Sequence, residues 1–284
     1  MRTDTYFSYE KMIAEINAYM EKYSFISVTG LCDSILGRTV PVISLGEGKT
    51  VIAYVGGEQG NDVQSPSVLL RFVKDICALY EEGGAAFGFS AEHILQSFTI
   101  VVIPMLNPDG VSYCVTGVDA DNPLRDRLIK INGGSLDFSN WRGNARGVEL
   151  KYNYGAERSE YEPEAEVGAL CNFFRFGMTP SMLFAFSQSD EAEGRICFGE
   201  GERESKTAIA LTQMTGYKRC FRQSEEPVLM LTDWSIKELS SAAFSIELAP
   251  IENMGIKRTQ DKIFSVYAQM RKMLFCAPFL NKIK

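Results

Sequence analysis

Short apolar runs alternate along this chain with stretches in which apolar residues recur at helical spacing. The runs at positions 50–55 and 98–105, rich in β-branched and aromatic residues, are typical of buried strands. Apolar residues at every third or fourth position of 65–79 and 259–275 predict amphipathic helices. This alternation predicts an α/β fold with a mixed, mostly parallel central sheet and helices on both faces.

Two other stretches complete the predicted organisation. Residues 8–23 carry apolar side chains at helical spacing and predict an amphipathic helix ahead of the sheet. Residues 112–140 lack clear periodicity, and we expect a long surface excursion that borders the functional cleft. A chain of 284 residues with 45% hydrophobic content can bury a large core, so we expect one domain spanning 1–284.

Charge and composition exclude several classes of function. The formal net charge of -7 and the pI near 5.0 leave no basic surface for nucleic acid. No apolar run is long enough for a membrane span or a signal peptide, so we expect a cytoplasmic protein without membrane contact. The seven cysteines are scattered and odd in number, which favours free thiols in a reducing compartment.

The polar turns that follow the two apolar runs are the first candidates for chemistry. Positions 56–62 read Gly-Gly-Glu-Gln-Gly-Asn-Asp, and positions 107–110 read Asn-Pro-Asp-Gly. In α/β proteins such turns lie at the carboxyl edge of the sheet, where ligands bind. Turn chemistry alone also explains these residue types, so the turns by themselves do not establish a site.

Four segments in a fixed order give a more specific indication. The two turns are followed by Asn-Ala-Arg-Gly-Val at 144–148 and by Phe-Ser-Ile-Glu-Leu at 244–248. In order and spacing they resemble the zinc carboxypeptidases, the M14 metallopeptidases, over roughly residues 35–275. The resemblance implies a carboxypeptidase-like fold, in which two histidines and a carboxylate hold zinc and a glutamate acts as general base on the metal-bound water.

The metal positions of the family are replaced in this chain. By the resemblance, the three ligands fall on Gln59, Asp62 and Phe186, and the only histidine, His93, lies far from every motif. An amide is a weak zinc ligand and a phenyl ring is none, so we expect no zinc cofactor and no metal. Restoring all three ligands together, by Gln59→His, Asp62→Glu and Phe186→His, is predicted to create a zinc site.

Other positions of the family site retain suitable side chains. The resemblance places the general base on Glu247 and the arginine that polarises the scissile carbonyl on Arg146. The pair that binds the substrate carboxylate falls on Lys151 and Tyr152, which keeps a positive charge without the arginine fork. Ordinary ion pairing remains the alternative for Glu247 and Arg146. We expect these side chains and the three metal positions to converge on one cleft, with the apolar stretch 227–231 as a wall.

Two functions follow from this pattern. The first is a carboxypeptidase-like pseudoenzyme, without zinc-peptidase activity, whose former active-site cleft binds a peptide or a cell-wall-type fragment. The alternative is an active metallopeptidase, carboxypeptidase or amide hydrolase. Its non-standard metal site would be built around Glu58, Asp62 and Glu247, or it would work without a metal.

Overall fold

The structure is a computed structural model that describes residues 7–155, 163–222, 230–250 and 259–282. These residues form one eight-stranded sheet and a separate two-stranded hairpin. The sheet contains β1 (Ser27–Asp33), β2 (Thr39–Leu45), β3 (Thr50–Val55), β6 (Phe98–Ile103), β7 (Met182–Gln188), β8 (Arg195–Phe198), β9 (Lys218–Phe221) and β10 (Ala242–Leu248). The hairpin contains β4 (Ala85–Ala86) and β5 (Phe89–Ser90).

The order of strands in the sheet is β1-β2-β6-β3-β7-β10-β8-β9. The four central strands β6, β3, β7 and β10 run parallel, and the β8–β9 pair is parallel as well. The pairs β1–β2, β2–β6 and β8–β10 are antiparallel. The predicted mixed, mostly parallel sheet is therefore confirmed, and the carboxyl ends of its four central strands meet at one edge.

Helices cover both faces of this sheet, as the alternation of apolar runs predicted. Side chains at alternate positions of each central strand enter two separate cores: Ile52 and Tyr54 of β3 enter one, and Ala53 and Val55 the other. The helices of the described residues are α1 (Tyr9–Lys22), α2 (Ser65–Glu81), α3 (Ala91–Ser97), α4 (Pro108–Thr116), α5 (Arg125–Ile131), α6 (Ala165–Phe176), α7 (Glu202–Thr215), α8 (Leu231–Leu239) and α9 (Thr259–Cys276).

The two cores divide these helices. Helices α1, α2, α7 and α9 pack over the face that contains Tyr54, whereas α6 and α8 pack over the face that contains Val55. Both cores draw side chains from β2, β3, β6, β7 and β10, so each runs across the middle of the sheet. None of the described helices is both long enough and apolar enough to cross a membrane.

The stretch 112–140, which lacks clear periodicity and is expected from the sequence to be a long surface excursion, contains helical segments and buried side chains. It contains the end of α4 and the whole of α5. Its apolar side chains, with Trp141 and Ala145, form a small third core of buried residues, which are Tyr113, Leu128, Phe138, Trp141 and Ala145. These residues come from helices and turns in succession, so no single period in the sequence indicated them.

Candidate active site

The turn after β3 is held closed by Asp62. Its buried carboxylate accepts hydrogen bonds from the Gly57 amide at 3.2 Å, the Ser65 amide at 3.1 Å and the Ser65 hydroxyl at 2.5 Å. Gly57 has a positive φ of 63°, and a Cβ there would lie 2.8 Å from the Met105 Cα, so the turn requires glycine. Burial raises the pKa of Asp62 despite these donors. Asp62 therefore joins the turn to the start of α2.

Gln59, in the same turn, belongs to a charged network. The amide orientation that satisfies its neighbours has the oxygen accepting from Arg142 Nε and Nη2 at 2.9 and 2.6 Å. Arg142 also donates to Glu149 at 3.2 Å and to Asp190 at 2.9 Å. The arginine that reaches this family metal position is thus Arg142. Sequence reasoning missed it, although Arg142 lies only two residues before the Asn-Ala-Arg-Gly-Val segment.

Glu247 lies near the carboxyl end of β10 and is surrounded by three cations. Its Oε2 accepts from Arg195 Nε at 2.9 Å, and its Oε1 accepts from Arg222 Nη2 at 3.0 Å. The Lys151 Nζ lies 3.7 Å from Oε1. Burial alone would raise the pKa of Glu247, but Lys151, Arg195 and Arg222 together hold it below its ordinary value. Both oxygens of this carboxylate are therefore engaged, and it stays ionised.

The structure places the Lys151 side chain next to Glu247. Lys151 lies in a short 3₁₀ helix, Leu150–Tyr152, and its side chain is 8% exposed. Its Nζ is also 6.0 Å from the centre of the Tyr152 ring, which is partly exposed beside it. Lys151 and Tyr152 together therefore form a cationic and aromatic wall next to the strand end.

Glu58 is a second buried carboxyl in this region. The Tyr154 hydroxyl donates to its Oε1 at 2.6 Å. Burial raises the pKa of Glu58 to about 7, and the charge of Asp62 adds to the increase, while Tyr154 and Lys151 oppose it. Since Lys151 also contacts Glu247, it links the turn after β3 to the end of β10. Besides Asp62, the site thus holds Glu58, which titrates near neutrality, and Glu247, which stays ionised.

Arg146 contacts Glu164 and not Glu247 in this structure. Its side chain is 49% exposed and contacts Glu164, with Nε and Nη2 lying 3.0 and 2.7 Å from Glu164 Oε2. The Asn144 side-chain amide donates to the same oxygen at 2.7 Å. In this arrangement Arg146 forms an ordinary ion pair, which was the alternative interpretation, and its role toward a substrate stays a prediction.

Phe186 faces the opposite side of the sheet from Glu247. It is fully buried in the core under α2, α7 and α9, with its ring centre 6.2 Å from that of Tyr54. In the parallel register of β7 and β10 it pairs with Ile246, and the next pair is Ser187 with Glu247. Side chains alternate along a strand, so Ser187, not Phe186, shares a face with Glu247. The structure does not bring Phe186 to the other expected site residues.

These donors do not fit a zinc site. Within the described part of the chain, no three histidine, cysteine, aspartate or glutamate side chains are grouped so as to hold a metal ion. Asp62 is taken up by the turn, Phe186 lies in the core, and Glu247 is already neutralised by cations. A metal site around Glu58, Asp62 and Glu247 is disfavoured for the same reason, because a tyrosine hydroxyl, the turn after β3 and the three cations already occupy these carboxyls. Residues 227–229 of the predicted apolar wall lie outside the described residues.

Comparison with known proteins gives a consistent family. The family model described as zinc carboxypeptidase matches residues 12–172. The chain is 26% identical over 267 residues to "Gamma-D-glutamyl-L-diamino acid endopeptidase 1" of Lysinibacillus sphaericus, covering 85% of this chain and 65% of the relative. It is 28% identical over 143 residues to the uncharacterised protein YqgT of Bacillus subtilis, covering 49% of this chain and 38% of that protein. The chain thus spans less than two thirds of the length of either relative.

Solved structures show the same fold. A metallo-carboxypeptidase from Burkholderia cenocepacia superposes with a TM-score of 0.72 at 16% identity, over 96% of this chain and 69% of that one. Bovine thrombin-activatable fibrinolysis inhibitor superposes with a TM-score of 0.71 at 15% identity, over 99% of this chain and 98% of that one. At these identities the superpositions establish the fold alone.

Proposed function

The chain belongs to the zinc carboxypeptidase family, M14, and we propose that within this family it is a pseudoenzyme that binds a peptide or cell-wall-type fragment without zinc-dependent cleavage. The observation that carries this proposal is the state of Glu247. A general base must accept a proton from the attacking water, which requires a free oxygen and a pKa near the working pH. Glu247 has both oxygens engaged and a lowered pKa.

The charge of the site supports a particular class of ligand. Lys151, Arg195 and Arg222 outnumber the described carboxylates that contact them, which are Glu247 and the exposed Glu191, so the strand end favours an anionic group. The relative from Lysinibacillus sphaericus is named for γ-D-glutamyl-L-diamino acid links. A peptide bond through the γ-carboxyl of glutamate leaves its α-carboxylate free beside that bond. We therefore propose a γ-D-glutamyl peptide as the ligand, with the free carboxylate directed to this cationic wall.

The test is calorimetric titration of the chain with the tripeptide L-Ala-γ-D-Glu-L-Lys and with its α-linked isomer. We expect tighter binding of the γ-linked peptide, no cleavage products by mass spectrometry, and no stoichiometric zinc by elemental analysis. Lys151→Met should weaken binding roughly tenfold, because it removes a buried charge next to the ligand carboxylate. Lys130→Met, at an exposed position of α5, is the matched control. Turnover of the peptide with one zinc per chain would overturn the proposal.

One observation favours the alternative of an amide hydrolase. Glu58 is buried beside the Tyr154 hydroxyl and has a pKa of about 7, which suits a group that exchanges a proton near neutral pH. In this version Glu58 takes the proton of the attacking water and no metal takes part. Cleavage that survives chelation and is lost in Glu58→Gln would establish it. Cleavage that requires added metal would instead support the metal-dependent form of the alternative.

A further inference from the structure

Two free cysteines are direct neighbours at the edge of the sheet. Cys197 of β8 and Cys220 of β9 are paired residues in the parallel register of these strands. Adjacent strands lie about 4.8 Å apart, which is within the Cα separation that a disulfide accepts. Paired residues of parallel strands also project from the same face, so the two side chains lie side by side.

The environments of the two thiols differ. Cys197 is buried, whereas Cys220 is partly exposed. Burial, followed by the charge of Glu247, raises the pKa of Cys197 to about 12, and Cys220 adds to this through its own charge and a side-chain hydrogen bond. Of the two, Cys220 is therefore the thiol that a reagent in solution can reach.

The same face carries the arginines that hold Glu247. Arg195 lies two residues before Cys197, and Arg222 lies two residues after Cys220, so strand alternation places all four side chains on one side. Arg195 contacts one oxygen of Glu247 and Arg222 the other. Strand β9 pairs with β8 alone in the described sheet, so it is an edge strand whose other side is not fixed by a neighbouring strand.

We propose that Cys197 and Cys220 form a reversible disulfide, and that this bond changes how Arg195 and Arg222 hold Glu247. The sulfurs must approach to about 2.05 Å, which draws the edge strand β9 toward β8. Arg222 then moves with β9, while Arg195 and Glu247 remain fixed in the sheet by the antiparallel pairing of β8 and β10. Through this disulfide, the ratio of thiols to disulfides in the surroundings would determine how the arginines contact Glu247.

The oxidant is a low-molecular-weight disulfide such as oxidised glutathione. The Cys220 thiolate attacks one of its sulfurs, forms a mixed disulfide and releases one thiolate. Cys197, which is a thiol at neutral pH because its pKa is raised, then loses its proton and attacks the Cys220 sulfur. This slower step closes the protein disulfide and releases the second thiolate. Two protein thiols are oxidised, the small disulfide is reduced to two thiols, and the two protons lost by the cysteines are taken up by the leaving thiolates. Thiol–disulfide exchange of this kind is how reducing compartments use disulfides as sensors.

The first test detects the bond. The full chain is incubated with oxidised glutathione, its remaining thiols are alkylated under denaturing conditions, and its peptides are mapped by mass spectrometry. We expect loss of two thiols, a linked Cys197–Cys220 peptide, and full reversal by dithiothreitol. Cys32→Ser, a partly exposed thiol on β1, should leave this result unchanged. A stable glutathione adduct on Cys220 without the linked peptide, or a bond between other cysteines, would overturn the proposal.

The second test measures the effect on Glu247. Carboxyl-labelled glutamate allows its titration to be followed by carbon NMR, with the resonance assigned by Glu247→Gln. Because each nearby cation contributes to its low pKa, we expect oxidation to raise the midpoint by roughly half a pH unit or more. Cys220→Ser should abolish the change while keeping the reduced titration. A linked Cys197–Cys220 peptide with an unchanged Glu247 titration would disprove the coupling. This result does not depend on which ligand the cleft binds.

Discussion

Glu58 and Glu247 are both buried glutamates near the carboxyl edge of the sheet, yet their neighbours give them opposite proton affinities. Glu58 has a hydroxyl and a carboxylate nearby, with Lys151 as the cation that acts on it, and its pKa rises to about 7. Glu247 has Lys151 and two arginines against it, and its pKa falls. The number of cations around each carboxyl decides the difference, since burial acts on both in the same direction.

The raised pKa of Glu58 predicts a pH-dependent cost in stability. Below about pH 4.5 the group is protonated in both states and has no effect, and as pH rises toward 7 the unfolded state ionises first. Stability is therefore lost over this interval, by about 3 kcal/mol for a shift to about 7. Glu58→Gln keeps an acceptor for Tyr154, so it should stabilise the protein by about 1–3 kcal/mol at pH 8 and little at pH 4.5.

Urea unfolding of the parent and Glu58→Gln at both pH values checks this prediction. Glu166, whose pKa burial likewise raises to about 7, is present in both proteins, so its contribution cancels when the variant is compared with the parent at each pH. Equal effects of the substitution at pH 4.5 and pH 8 would show that Glu58 does not titrate between them.

Glu247 is predicted to behave in the opposite way. Glu247→Gln leaves Lys151, Arg195 and Arg222 without their buried counterion, which should cost about 2–4 kcal/mol at pH 7, because the arginines remain partly solvated. Since the folded pKa is below the unfolded one, the contribution of Glu247 is present above its unfolded pKa. It is lost as pH falls through the folded pKa.

The matched control for Glu247→Gln is Glu191→Gln. Glu191 also contacts Arg195, at 3.4 Å, but its side chain is 63% exposed. An exposed pair of this kind contributes less than about 1 kcal/mol, so its unfolding midpoint should hardly change. If urea unfolding showed similar decreases in the free energy of unfolding for both variants, burial would not strengthen the ion pairs of Glu247.

Sequence reasoning found Glu247 but not the arginines around it. A single carboxylate within an apolar strand is conspicuous, and the resemblance gave it a role. Arg195 and Arg222 lie 52 and 25 residues away, and they reach Glu247 only because β8 and β9 follow β10 in the order of the sheet. A contact that depends on strand order has no local signal in the sequence.

At the level of elements, the sequence predicted the positions of strands better than it predicted which side of the sheet a given side chain faces. The predicted run 50–55 is β3, and the run 98–105 is β6 without its last two residues, since Pro104 has no amide to continue the ladder. The resemblance aligned Phe186 with a metal ligand, but the register of β7 directs it into the core. A displacement of one residue along a strand moves a side chain to the other face of the sheet.

This register changes the expected outcome of restoring the zinc ligands. In the triple variant Gln59→His, Asp62→Glu and Phe186→His, the imidazole at position 186 enters an apolar core next to Tyr54 instead of the cleft. We expect a loss of stability of about 3 kcal/mol or more and no gain in zinc affinity.

The double variant Gln59→His with Asp62→Glu, which leaves the core intact, separates these effects. It should lose some stability, because the longer glutamate side chain at position 62 disturbs the contacts that Asp62 makes to Gly57 and Ser65, but less than the triple variant. It should also fail to bind zinc, because only two ligands are present. Zinc affinity is measured by competition with a chromogenic chelator. Tight binding by the triple variant alone would mean that position 186 reaches the cleft, and the aligned role of Phe186 would stand.

Across the whole molecule, the two halves of the chain are interleaved in one sheet. The parallel pairing of β3 with β7 joins residues 50–55 to residues 182–188, and both cores take side chains from each half. Two hydrogen bonds to backbone carbonyls connect the small third core around Trp141 to the turns that follow β3 and β6. The Gly60 amide donates to the Arg142 carbonyl at 3.0 Å, and the Asn107 side chain donates to the Gly143 carbonyl at 3.1 Å. Within the described residues, these contacts join the third core to the sheet.

One domain spanning 1–284 stays our prediction, and it implies that the chain unfolds in one cooperative step. The two tryptophans of the chain are suitable probes of this. Trp141 lies in the third core and Trp234 in the core under α6 and α8. In Trp234→Phe the fluorescence reports only on the third core, and in Trp141→Phe only on the main body. Within each variant, the urea midpoint from fluorescence should coincide with that from far-ultraviolet circular dichroism. If the Trp234→Phe protein loses its fluorescence signal at a lower urea concentration than its circular dichroism, residues 112–150 unfold on their own, and the contacts at Gly60 and Asn107 are too weak to join them to the sheet.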